Sequence, residues 1–408
     1  MPTTRSAPAP AATITTPVLL TLALLSAMAP VATDLYLPAF PQMADQLGVG
    51  ASAVQLTLMA FLLGITAGQL VFGPLSDRVG RFWPLLAGTA ACVVASAVAA
   101  TAPDITVLVA ARFAQGFTGA AGMVIGRAIV SDLATGQTAA RAFSLMMIVG
   151  GVAPVVAPVA GSMLVGPAGW RGILWVVCAV VVLMLVVTIA VIRESHPPQR
   201  RHQLRADTTT SAWTSLRSRT FAGNTLAFAF GFAVMMAYIS ASPFVYQTLI
   251  GTTPQQYGLI FGVNALGIAV MSAVSARLAR RVPARTLLGA GLLAASVAAA
   301  VTLGLVVTGA PPWLLTMPIF VAVASQGLIL GNATAQALAA VPHHAGTGSA
   351  ALGALQFGIG ALVAPLVGLG GEHTALPLAL VMCGCAAIAV AGFVLAHGGE
   401  RADPGFGP

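Results

Sequence analysis

Asp34 is the one acid of the chain that stands well inside a long apolar stretch, in Ala32-Thr33-Asp34-Leu35-Tyr36-Leu37-Pro38. A charge at the centre of a membrane helix costs roughly 2.5–3.5 kcal/mol on insertion scales. Asp34 is off-centre, where the cost is smaller. It reads either as a functional carboxyl or as an acid that snorkels to the outer surface, a gap too long for so short a side chain. Apolar surroundings favour the protonated carboxyl, and a neighbouring cation favours the ionised one. A carboxyl held between those influences can take up and release a proton as its surroundings change. It would hold a proton in one state and a substrate or counter-charge in the other. Arg112, in Ala111-Arg112-Phe113-Ala114-Gln115-Gly116, offers a cation at similar depth on another helix. It either pairs with Asp34 or ties helices together through backbone carbonyls, and the sequence leaves both readings open. Arg127 lies nearer the end of the same stretch, where its long side chain can snorkel. Tyr36, Gln115, Tyr238 and Asn264 are polar or aromatic residues within apolar stretches. They are candidates to line a cavity, with helix packing as the alternative.

Two further groups point to moving parts. Gly73-Pro74-Leu75-Ser76-Asp77-Arg78-Val79-Gly80-Arg81 reads as a tight turn carrying a compact acid–base cluster. Gly80 allows a backbone angle that bulkier residues resist. Asp77 can cap a helix or pair with an arginine. Gly150, Gly151, Pro154, Pro158 and Gly161 share one apolar stretch, where small residues admit close helix contact and prolines free carbonyls. Ala157-Pro158-Val159-Ala160-Gly161 recurs as Ala364-Pro365-Leu366-Val367-Gly368, which makes Pro365 a second bend.

The elements that must position these residues follow from composition. The 408 residues are 58% hydrophobic and 7% charged, against roughly 25% charged in soluble domains. Apolar stretches of spanning length recur from Thr15 to Ala396, and a spanning helix needs roughly 20 residues. The spacing predicts twelve helices over 17–40, 52–75, 82–102, 104–131, 139–166, 170–192, 220–249, 256–277, 285–308, 312–340, 346–370 and 375–397. No strand-like alternation suggests a barrel. The apolar run ending in Ala27-Met28-Ala29 resembles a cleavage site but continues to Leu37, so it reads as a retained first span. Asp34 is then placed about six residues, roughly 9 Å, below the outer end of that span.

All eighteen basic residues are arginine, and fifteen fall in segments that share one side when the N-terminus is put inside. The positive-inside rule then places both termini in the cytoplasm. This loop placement argues against nucleic acid. Residues 1–16 read as a disordered tail, 17–192 as one six-helix bundle, 193–219 as a basic cytoplasmic linker, 220–397 as a second bundle, and 398–408 as a cytoplasmic tail. The proline-glycine repeat (offset 207), the Arg78–Arg81 echo at Arg281–Arg285 (offset 203) and Pro38 against Pro243 (offset 205) relate the two bundles. Parallel repeats of this kind place a substrate site at mid-membrane between them.

No metal or enzyme motif is found. The four cysteines lie in apolar stretches and read as buried thiols, with no His-Glu-x-x-His, and the absence of lysine excludes a Walker P-loop. His343-His344 reads as a solvated loop pair.

The loop Gly73–Arg81 resembles the signature loop of the major facilitator superfamily at every defined position. Arg112-Phe113-x-Gln115-Gly116 is similar to its span 4 motif. The span 5 Gly/Pro run resembles the motif of its drug:proton antiporters. Asp34-Leu35-Tyr36-Leu37-Pro38-Ala39-Phe40-Pro41 resembles the span 1 signature of the Bcr/CflA drug-resistance branch. The resemblance implies an all-α membrane fold of two six-helix bundles in a bacterial inner membrane, working as a monomer. It implies a conformational latch of Gly73, Asp77, Arg78, Gly80, Arg81 and Asp132, with Asp77, Arg81 and Asp132 as its charge cluster. Asp34 would bind proton and substrate, and Arg112 would tune it. The activity implied is efflux of chloramphenicol- or bicyclomycin-like compounds, with the proton as coupling ion and no other cofactor. The alternatives are a carrier of a native solute such as a sugar or amino acid, or a membrane enzyme.

Overall fold

The computed structural model describes residues 14–134, 136–195, 217–341 and 345–398. The tails, most of the linker and His343-His344 therefore fall outside the described residues. Among the described residues, eleven apolar helical stretches are long enough to cross a membrane: Thr16–Leu47, Ala51–Val79, Phe82–Ala100, Ile105–Leu133, Arg141–Val191, Arg219–Leu249, Pro254–Leu278, Ala284–Val307, Pro312–Ala339, Gly348–Gly368 and Leu376–His397. The 51 residues of the fifth would reach roughly 75 Å at 1.5 Å per residue, more than twice a bilayer core. Gly169 breaks it with φ 63° and ψ −179°, a backbone open to glycine and strained for other residues. The break makes spans 5 and 6, so twelve spans result, as the sequence predicts. Trp170 pins this turn to the end of span 1: its backbone N–H donates to Gln42 Oε1 (3.0 Å) and its indole Nε1 to Gln46 Oε1 (2.9 Å).

Within each half, glycines set the closest packing. A side chain at Gly64 or Gly68 of span 2 would overlap the carbonyl oxygens of Phe113 or Phe117 in span 4, and one at Gly116 would overlap that of Phe61. In the second half, Gly223 of span 7 and Gly392 of span 12 face each other's backbone in the same way. Apolar helices in lipid gain little from hydrophobic burial against each other, so close backbone approach supplies the association.

The loops alternate between two faces. One face, poor in arginine, carries 48–50, 101–104, 250–253, 308–311 and 369–375. The hydrogen bonds described between the halves lie toward this face: Gln55 Nε2 to Ser240 O (3.0 Å), Gln247 Nε2 to Pro38 O (3.0 Å) and Gln255 Nε2 to Ser162 O (3.5 Å). The rings of Phe40 and Phe244 meet across the same seam, 6.2 Å apart. The two halves are thus held together at the arginine-poor face.

Candidate functional site

Span 1 departs from the single helix that its composition predicts. It runs as Thr16–Ser26, Met28–Asp34, a 3-10 turn at Leu37–Ala39 and Phe40–Leu47. Pro30, Pro38 and Pro41 each lack the N–H that a continuous ladder needs. The break falls at Asp34, the last residue of its helical piece, and the path continues to Leu47. Asp34 therefore sits in the middle of the 32-residue path and not about six residues from its end. The side chain is buried at 4% exposure, which excludes snorkelling.

The carboxyl's described hydrogen-bond partner is a hydroxyl. Thr33 Oγ1 lies 2.9 Å from Asp34 Oδ1 and 2.8 Å from Ala29 O. A hydroxyl can donate one proton and accept another. When Asp34 is protonated, it can donate to Thr33, which then donates to Ala29. When Asp34 is ionised, Thr33 can turn its proton to the carboxylate. The same neighbour serves both states.

Arg112 does not ion-pair with Asp34. Its Nη2 donates to Ala32 O (2.7 Å) and its Nη1 to Gln115 Oε1 (2.5 Å). The guanidinium lies 4.4 Å from the ring centroids of both Tyr36 and Phe61. It is fully buried, and its Nε has no described partner. Of the two readings left open by the sequence, the tie through a backbone carbonyl is the one realised. The carbonyl it takes lies beside the break in span 1, where the helix's own donors run out. Cation–π contacts of about 2 kcal/mol each when desolvated help to offset the cost of burying the charge.

Gln115 and Tyr36 are buried and held by polar partners. Gln115 holds Arg112 at one end and donates to Ser96 Oγ (2.7 Å) at the other. Tyr36 lies against Arg112, and its hydroxyl bonds Thr57 Oγ1 (3.0 Å). Both are fixed parts of one network joining spans 1, 2, 3 and 4. Tyr238 and Asn264 do come together, with Asn264 Nδ2 donating to Tyr238 OH at 2.7 Å. Around them the structure assembles residues that the sequence reading missed. Tyr238 stacks on Phe261 at 5.5 Å, Phe261 meets Tyr257 at 6.1 Å, and Tyr257 meets Tyr246 at 6.2 Å. Ser242 Oγ lies 2.9 Å from Tyr257 OH. The Asp34 carboxyl is within electrostatic reach of the Tyr238 and Tyr257 hydroxyls. The four tyrosines of the chain are all fully buried, although tyrosine usually gathers at the membrane surface. The signal was available: Tyr257, Phe261 and Asn264 follow i, i+4, i+7, one face of a helix.

Span 5 closes over the break. A side chain at Gly161 would overlap the Leu35 carbonyl oxygen, one residue past Asp34. A Cβ at Gly258 of span 8 would meet Ser162 Oγ at 2.5 Å and Pro158 O at 3.0 Å, so span 5 also packs across the seam. Gly151 departs from its expected packing role: it is exposed, with nothing within 4 Å of an added Cβ. Pro154 lies within the continuous helix. Pro365 precedes a 3-10 turn, Leu366–Gly368, that seats Gly368 against Gln55.

At the opposite face Arg81 gathers the charge cluster. Its Nη1 donates to Asp77 Oδ1 (2.5 Å) and Ser76 Oγ (2.8 Å), and its Nε to Asp132 Oδ2 (3.0 Å). Gly80 has φ 109°, so the turn needs glycine. Gly73 is under no such demand: an added Cβ would meet Val124 at an ordinary 3.6 Å. Arg78 and Arg127 are exposed. Glu194, also missed, accepts from the backbone N–H groups of Arg81 (2.9 Å) and Phe82 (3.3 Å). A carboxylate on the first N–H groups of span 3 favours the helix start. Glu194→Ala is expected to cost about 1 kcal/mol, read as a lowered unfolding midpoint. An unchanged midpoint would contradict the capping role.

The sequence matches the family described as Major Facilitator Superfamily over residues 22–365. It is 38% identical over 364 residues to "Uncharacterized MFS-type transporter YdgK" of Bacillus subtilis (strain 168), covering 88% of this chain and 90% of that protein. It is 30% identical over 373 residues to "Bicyclomycin resistance protein homolog" of Haemophilus influenzae, covering 91% and 94%. Among solved structures, a bacterial homologue of the human lysosomal transporter Spinster, inward-facing and unoccupied, superposes with a TM-score of 0.77 at 17% identity, covering 95% of this chain and 98% of that one. At that identity the likeness concerns the fold.

Proposed function

The chain belongs to the Major Facilitator Superfamily, and from that premise we propose that it expels small amphipathic molecules, bicyclomycin- or chloramphenicol-like antibiotics among them, in exchange for protons by alternating access. It would act in a bacterial inner membrane with both termini in the cytoplasm, the side on which the arginine-rich loops belong. The observation that carries this reading is the placement of Asp34. Its carboxyl is buried at a helix break, has a hydroxyl partner suited to both protonation states, and lies within electrostatic reach of Tyr238 and Tyr257 in spans 7 and 8. Rings and a few polar atoms suit an amphipathic molecule. A ligand there would change the surroundings of the carboxyl and expel its proton, and release of the ligand would allow proton return. The seam at the arginine-poor face would part in the exporting state, while Arg81 and its carboxylates hold the other face.

Everted vesicles with an imposed proton gradient test this. The parent is expected to accumulate labelled drug and to lose it when an uncoupler is added. Asp34→Asn is expected to lose the gradient dependence, and a variant that stays fully coupled would remove Asp34 from the mechanism. The second reading, a carrier of one native solute, draws on the polar Asn264–Tyr238 pair and is distinguished by labelled sugars and amino acids in the same assay.

A further inference from the structure

A second site lies at the seam itself. Gln55, Phe244, Gly368, Glu372 and Thr374 line a pocket with room for about one water-sized particle, ≈ 10 Å³. The two halves share it: Gln55 belongs to span 2, and the others to span 7 and to the end of span 11 with its following loop. Gln55 is 1% exposed. Its amide nitrogen donates to Ser240 O at 3.0 Å, which fixes the amide's orientation, since a flip would set oxygen against oxygen. The other end, Oε1, is buried without a described partner and lies over Gly368, where a Cβ would overlap it. Thr374 Oγ1 accepts from Leu376 N–H (3.1 Å), and Glu372 adds a half-buried carboxyl. The pocket's polar side chains thus present oxygens, from an amide, a carboxyl and a hydroxyl.

Charge points the same way. Asp45, Asp104 and Glu372 lie on the arginine-poor face with Arg171 and His373. Burial pushes the Glu372 carboxyl above its usual range, Asp45 adds to the push and His373 opposes it. A positive occupant would relieve both unfavourable influences. Oxygen donors with net negative charge suit a hard cation.

We propose that this pocket binds a small monovalent inorganic cation of the sodium type between Gln55 of the first half and Glu372 of the second. The ion joins the halves at the arginine-poor face and is lost when the seam parts. By linkage it stabilises the closed seam, in proportion to its concentration over its Kd. The inference concerns the seam and is independent of how Asp34 couples to transport.

Hydrogen–deuterium exchange of the purified full chain tests it without substrate. Exchange in residues 48–55 and 366–375 is compared in sodium chloride and in choline chloride, at equal ionic strength and fixed pH. Sodium is expected to slow seam opening about threefold at twice its Kd, and Glu372→Gln to abolish the difference. Thr374→Val, which removes the hydroxyl oxygen and its bond from the Leu376 N–H, is expected to weaken it. Equal exchange in the two salts would mean that water alone occupies the pocket and would overturn the proposal. So would a sodium effect that survives in Glu372→Gln, or equal protection produced in choline by lowering the pH.

Discussion

Gly161→Ala is expected to disable the protein, although it adds one methyl group. The new Cβ would overlap the carbonyl oxygen of Leu35, a backbone atom that cannot rotate away. Overpacking a well-packed interior costs about 1–3 kcal/mol, and here the strain falls on the break that holds Asp34. Span 5 must move outward or span 1 must refold around Pro38. The expected result is a lowered unfolding midpoint together with loss of substrate binding. Gly151→Ala, ten residues earlier in the same span, is the control. Its Cβ meets nothing within 4 Å, and alanine favours helix over glycine by about 1 kcal/mol. That variant is expected to match or exceed the parent in stability. Equal behaviour of the two variants would mean that the approach of span 5 to Leu35 is not what positions the site.

Arg112→Lys is expected to fail nearly as badly as Arg112→Met, despite keeping the charge. The guanidinium donates to Ala32 O and Gln115 Oε1 while lying against Tyr36 and Phe61. A lysine ammonium cannot reproduce that planar fork or stack between two rings. Methionine would leave two buried acceptors unpaired, at about 1–3 kcal/mol each. Both variants are expected to lose more than about tenfold in transport, with lowered unfolding midpoints. A lysine variant with parental transport would show that charge alone suffices and that the carbonyl tie is incidental.

The sequence identifies the important charges but not how they are joined. Asp34 and Arg112 stand out because an ionisable group deep in an apolar run is costly wherever it ends up. Similar depth leaves Arg112 either to pair with Asp34 or to tie helices through a carbonyl, and the broken helix offers the better acceptor. The freed carbonyls of span 1 sit beside Arg112, while Asp34 finds Thr33 next to it in sequence. The prolines responsible are visible in the sequence, yet a continuous apolar run conceals where the ladder stops. Gln115 stayed open for a related reason: a glutamine in a span can line a cavity or hold a neighbour, and only the partner, here Arg112, decides. The Arg81 cluster was legible as a motif, because a turn of two residues, Gly80 and Arg81, between two helices leaves little freedom. Glu194 was not, since it caps span 3 from 113 residues away. The gathering of Tyr238, Tyr246 and Tyr257 needed the fold, because they come from two spans joined by a turn.

In the proposed mechanism, substrate binding takes the proton from Asp34. Mixing drug with the purified chain in weakly buffered solution, with an indicator dye reading the pH change, puts this to the test. The parent is expected to release about one proton per drug bound, and Asp34→Asn none at matched occupancy. Binding by the parent without release, or release undiminished in Asp34→Asn, would contradict it.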